Sequence, residues 1–121
     1  MDTIKIRHRD VLMIAHRGLS GLEVENTCPA FVAAGVKSYY GIEIDVHVTK
    51  DDKYIICHDD NIKRVIGVDL IIEESLYEDI KKISIRDKDL STRSDLVFPD
   101  LSDYIKICNK YNKEAILVLK K

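Results

Sequence analysis

Apolar residues come in short runs along this chain, and several of the runs stop at an ionisable residue. Residues 11–15 (Val-Leu-Met-Ile-Ala) read as a strand buried on both faces, ending at His16-Arg17-Gly18. Thr27 is placed to cap a short helix over residues 29–34, with Pro29 in the first turn and Gly35 as its terminator. Residues 42–48 alternate with strand period, so Ile42, Ile44 and Val46 take one face and Glu43, Asp45 and His47 the other. A polar turn at 49–53 and a second apolar run at 54–57 predict a hairpin, because about five residues cannot make a parallel crossover. That run also stops at a histidine, His58-Asp59. Residues 61–74 read as an irregular loop with an extended piece at 68–72. Ser75 is expected to cap a helix carrying Leu76, Ile80 and Ile83, and residues 87–94 form a polar loop. Pro99 precedes a helix that puts Leu101, Tyr104, Ile105 and Cys108 on one face, and a last apolar run at 115–119 ends at Lys120. Strands alternating with helices predict an α/β protein with a largely parallel sheet.

Composition narrows the class. The 121 residues, 45% hydrophobic and 33% charged, suit one ordinary domain over 1–121 and exclude wholesale disorder. No run of about 18 apolar residues could span a membrane. Nineteen basic and 21 acidic residues are interleaved and leave a net charge of −2, so no basic footprint for nucleic acid stands out. The polar start at residues 1–5 lacks a signal-peptide pattern. Cys28, Cys57 and Cys108 are odd in number, far apart and set among apolar neighbours, which favours buried free thiols in a reducing cytoplasm over redox or zinc roles.

The ionisable strand ends are the candidate chemistry, since in parallel α/β folds the C-terminal ends of strands form the floor of the site. Glu43 and Asp45 share one strand face, and two neighbouring carboxylates suit a hard divalent cation such as Mg²⁺ or Ca²⁺. An edge strand with one solvated polar face explains the same alternation. His16 and His58 each follow a buried strand and are candidates for general acid–base chemistry, although single histidines in such places are more often structural. Arg17 offers a fork for phosphate or, equally, a partner for a carboxylate. His47 shares the carboxylate face and is a candidate supporting residue.

Four motifs stand in order: His16-Arg17-Gly18, Glu25-Asn26-Thr27 leading into Pro29-Ala30-Phe31, Glu43-x-Asp45-Val46, and His58-Asp59. With weaker echoes at Lys63-Arg64, residues 75–80 and Phe98-Pro99-x-Leu101, they resemble the glycerophosphodiester phosphodiesterase family from about residue 11 to residue 120. The resemblance implies a (β/α)₈ TIM-barrel hydrolase that cleaves glycerophosphodiesters to glycerol 3-phosphate and an alcohol. By that likeness Glu43 and Asp45 hold a divalent metal, His16 and His58 are the catalytic acid–base pair, and Arg17, Asn26 and Lys120 serve the substrate. The chain departs from the family pattern twice. Leu117-Val118-Leu119-Lys120 has a valine where the pattern puts a metal-binding glutamate, and 121 residues make only the N-terminal half of a barrel, about four strands. Impaired activity is therefore expected of this form. The alternative is a non-catalytic half-barrel that forms a homodimer through its open edges or joins another chain, and an unrelated metal-dependent phosphatase or nuclease is the third reading.

Overall fold

The computed structural model describes residues 12–89 and 92–120; Val11 and the polar start at residues 1–5 lie outside them. A four-stranded sheet is built around β2 (Gly41–Val48). β1 (Ile14–His16) and β6 (Glu114–Leu119) both pair with β2 in parallel, and β3 (Tyr54–Ile56) folds back antiparallel on its C-terminal end. The turn at 49–53 therefore makes the expected hairpin.

The alternation in β2 has the consequence that strand period dictates. Ile42, Ile44 and Val46 are buried with Ala15, Phe31, Ala34, Tyr104 and Cys108 in one core, under α1 (Cys28–Gly35) and α4 (Leu101–Lys110). Phe31 and Tyr104 meet edge to face with centroids 5.2 Å apart. The Tyr104 hydroxyl donates to the Ile42 carbonyl and accepts the Ile116 N–H, tying α4 to both β2 and β6. Thr27 caps α1, its Oγ1 accepting from the Ala30 N–H at 3.4 Å. Gly35 does not end the helix in a left-handed turn; it is helical, and a Cβ there would lie 2.5 Å from the Tyr111 ring, so close packing is what requires glycine.

A second core gathers Val24, Ile55, Cys57, Ile62, Ile66, Ile72, Ile80, Ile85, Leu96 and Phe98. It contains what the sequence pattern obscures. Residues 61–74 hold a one-turn helix, α2 (Lys63–Ile66), and a 3₁₀ turn at Ile72–Glu74. α3 is only Tyr77–Lys81 and Ser75 does not cap it: the Ser75 hydroxyl donates to the Ile71 carbonyl, while Asp51 in the distant hairpin turn accepts the Tyr77 N–H. Ile83 lies beyond α3. The stretch read as a loop at 87–94 is partly strand, since β4 (Ser84–Arg86) pairs antiparallel with β5 (Thr92–Val97) through an irregular register. Neither strand carries a continuous apolar run, so their pairing leaves no local signature. Among the described residues no helix is long and apolar enough to cross a membrane.

Candidate active site

The face of the sheet opposite α1 and α4 carries the chemistry. Parallel pairing sets His16 abreast of Glu43, and Asp45 abreast of Val118. By the same period Lys120 follows on the Val118 face, and its Nζ stands 3.8 Å from Asp45 Oδ1. The Cys57 N–H donates to the Asp45 carbonyl at 3.0 Å, which extends the hairpin past Ile56 and brings His58 alongside the middle of β2. His47, fully buried on this face, has its Nε2 3.0 Å from the His58 carbonyl, so it fixes the backbone that carries His58.

The loop after β1 supplies the rest under backbone strain. Arg17 and Asn26 have φ of 58° and 52°, in the left-handed region that costs non-glycine residues about 1–3 kcal/mol each. The Asn26 N–H closes this loop on the Arg17 carbonyl at 2.9 Å. The Arg17 N–H donates to Glu43 Oε1 at 3.2 Å, its Nε lies 3.6 Å from Asp45 Oδ2, and Nη1 donates to both oxygens of Glu25 at 3.3 Å. Asn26 Nδ2 donates to Asp45 Oδ2 at 3.3 Å. Asp45, only 2% exposed, is thus compensated by Arg17, Asn26 and Lys120 together.

Arg64, on α2, joins the two ends of this arrangement. It donates to Glu25 at 2.5 and 3.2 Å and to Asp59 at 2.7 and 3.2 Å. Asp59 Oδ1 in turn lies 2.8 Å from His58 Nδ1. The Arg64 hydrogen bonds hold the Asp59 carboxyl down at about 2. Burial works to raise the Glu25 carboxyl, but Arg64 and Arg17 bring it below its ordinary value. The result is a continuous relay, His58–Asp59–Arg64–Glu25–Arg17–Asp45. Sequence reasoning put His16, Arg17, Asn26, Glu43, Asp45, His58 and Lys120 at the strand ends and site loop, and the structure brings them to one end of the sheet. It did not assign roles to Glu25, Asp59 or Arg64. Arg64 and Glu25 are 39 positions apart, a pairing that only the fold makes.

For a divalent cation, the oxygen chemistry is suitable and the count is low. Glu43 and Asp45 share a face, and Asn26 Oδ1, in the residue that bonds Asp45, is buried without a hydrogen-bond partner. Yet no group of three or more His, Cys, Asp or Glu side chains among the described residues is arranged to hold a metal ion, and the position abreast of Asp45 is Val118. Two carboxylates and one amide oxygen suit a hard cation in kind, and would leave the rest of its coordination to water.

Residues 16–120 match the sequence profile of the Glycerophosphoryl diester phosphodiesterase family. A glycerophosphodiester phosphodiesterase of Caldanaerobacter subterraneus is 39% identical over 72 residues, 60% of this chain and 30% of that protein. Human lysophospholipase D GDPD1 is 41% identical over 64 residues, 53% of this chain and 20% of its own. A solved Oleispira antarctica phosphodiesterase, in complex with the product sn-glycerol-3-phosphate, superposes with a TM-score of 0.81 and 29% identity, covering 91% of this chain and 44% of that one. The chain spans less than half the length of each. Its fold is one part of a (β/α)₈ TIM barrel.

Proposed function

The chain belongs to the glycerophosphoryl diester phosphodiesterase family, and from that premise we propose that its site is built to hydrolyse glycerophosphodiesters to glycerol 3-phosphate and an alcohol. The observation that carries this reading is the convergence of His16, Arg17, Glu43, Asp45 and Lys120 on one sheet face, with His58 held beside it by His47. Arg17 and Lys120 are the cations at hand for phosphoryl oxygens, and both now rest on carboxylates that a bound phosphate would replace as partner. Asp59 beside Nδ1 fixes the His58 ring and leaves Nε2 as the atom that moves a proton. His16 and His58 divide the work, one taking the proton of the attacking oxygen and the other returning a proton to the departing alkoxide. Asn26 holds Asp45 and closes the loop that presents Arg17. Glu43 and Asp45 are the residues that would hold Mg²⁺ or Ca²⁺, which when bound offsets negative charge on the phosphoryl group. Three unpaired cysteines, with burial pushing the Cys57 thiol up to about 12, support a reducing cytoplasmic setting.

The test is release of glycerol 3-phosphate from glycerophosphocholine by the 121-residue chain with Mg²⁺ or Ca²⁺. His16→Asn or His58→Asn should lower the rate about 10²–10⁴-fold. Val118→Glu should tighten metal binding by about tenfold or more, and all three variants should be compared with the parent by circular dichroism. No release by either the parent or Val118→Glu would sink the catalytic reading for this chain. The unpaired edges of β1 and β6 among the described residues favour a second reading, a non-catalytic unit that associates through those edges.

A further inference from the structure

Beside the proposed site lies a cavity of about 200 Å³ that none of the preceding chemistry uses. Its walls are Val24 and Glu25 from the loop before α1, Arg64 and Val65 from α2, and residues 86–88 at the end of β4. Glu25 and Val65 also line a much smaller cavity, about 10 Å³, that reaches His58 and Asn26. These two side chains line both cavities, so the large cavity adjoins the site.

The charges lining this cavity are unequally satisfied. Glu25 is engaged by Arg17 and Arg64, and Asp87 by Arg93 at 3.1 Å. Lys88 Nζ donates to the Ser20 carbonyl at 2.9 Å, a neutral acceptor. Arg86 differs from all of them. No carboxylate among the described residues pairs with it, and its Nε is buried without a hydrogen-bond acceptor. Its guanidinium nevertheless has a fitted seat: at Gly67, where φ is +79°, an added Cβ would lie 2.6 Å from Arg86 Nη2. A buried guanidinium N–H with no acceptor is a donor in want of an oxygen, and the cavity's acids are already neutralised by other cations. An anionic oxygen entering here would meet Arg86 and Lys88 with little carboxylate opposition.

We propose that this cavity receives the alcohol half of a glycerophosphodiester, and that Arg86 selects alcohols bearing a second anionic group, a phosphate or a carboxylate. The assignment rests on the phosphodiesterase reading of the adjoining site. It makes Arg86 a specificity residue and gives it no part in the bond-breaking step.

A matched pair of ligands tests it: glycerophosphoinositol and glycerophosphoinositol 4-phosphate, with inorganic phosphate as a third probe, titrated calorimetrically into the 121-residue chain. The phosphorylated compound should bind about tenfold more tightly than its unphosphorylated twin. Arg86→Gln should erase that preference while leaving glycerophosphoinositol binding unchanged, and Arg86→Lys should keep part of it. Arg17→Gln should weaken both diesters equally. Unfolding midpoints of the Arg86 variants close to the parent's would show that the fold is intact. Equal binding of the twins, or a preference that survives Arg86→Gln, overturns the subsite and leaves the proposed function standing. Arg86-dependent binding of inorganic phosphate with no binding of either diester would instead overturn the head-group assignment together with the phosphodiesterase reading of the neighbouring site.

Discussion

At the scale of single residues, the relay through Arg64 is the feature with the most direct consequence. Charged residues at strand ends can be read from sequence because strand period and abrupt termination are local signals; that is how His16, Arg17, Glu43, Asp45 and His58 stood out. Which charge meets which is a property of the fold, so Arg64 could be named only as a neighbour of the His-Asp pair. Its effect is measurable through acid stability. Asp59 has a carboxyl at about 2 in the folded chain, below its ordinary value of 3.8, chiefly because Arg64 hydrogen-bonds its ionised form. A carboxyl depressed by folding stabilises the protein above its unfolded value and ceases to do so as pH falls through the folded one. This part of the stability is therefore complete above about pH 4 and lost on the way down to pH 2. With Asp59 partly open to solvent, the loss is on the order of 1 kcal/mol after screening. Arg64→Gln should flatten the decline of the urea midpoint across that window. An unchanged slope would mean that the Asp59–Arg64 contact is not formed in solution.

At the scale of elements, long apolar runs and strict alternation were legible, while short strands and borrowed caps were not. The sequence pattern located β2, the hairpin to β3, α1 and α4, whose periods are sustained over enough residues to be distinctive. It missed β4 and β5, whose pairing depends on the second core, and it misassigned the start of α3, where the accepting group is Asp51, 26 positions away. Tyr104 shows the same division. Its place on the buried face of α4 follows from helical spacing; its use as a bridge between strands does not. Because the hydroxyl touches both the Ile42 carbonyl and the Ile116 N–H, which the parallel register also pairs with each other, Tyr104→Phe removes a brace between α4 and the ladder while the ladder bond itself remains. The substitution should cost about 0.5–1.5 kcal/mol, read as a lower urea midpoint at constant slope. It should also raise amide exchange at Ile116 more than at Ile44. A near-neutral effect would show that β2 and β6 are held by their ladder alone.

At the scale of the whole molecule, the described sheet has three parallel strands and one antiparallel strand, whereas the barrel type to which it belongs closes with eight parallel strands. Two copies would bring together six parallel strands, so simple pairing does not reproduce the eight-stranded ring. What pairing can do is cover apolar surface. On the helix side of β6, Leu117 and Leu119 lie abreast of Ile44 and Val46; those partners are buried under α1 and α4, but the two leucines are 46% and 55% exposed. At the other edge Ile14 is 42% exposed. Composition cannot reveal this, because Leu117 and Leu119 are ordinary core residues by type and only their position at an edge that no described strand covers leaves them open. An exposed apolar strand with unpaired backbone groups is a template for association. The 121-residue chain should therefore show a mass that rises with concentration in light scattering. Leu117→Lys together with Leu119→Lys should lower that mass toward the monomer's without lowering the unfolding free energy by more than about 1 kcal/mol, since about half of each replaced side chain already faces solvent. A parent chain that stays monomeric at millimolar concentration would remove the case for association through β6, and an associating double variant would move the contact to β1.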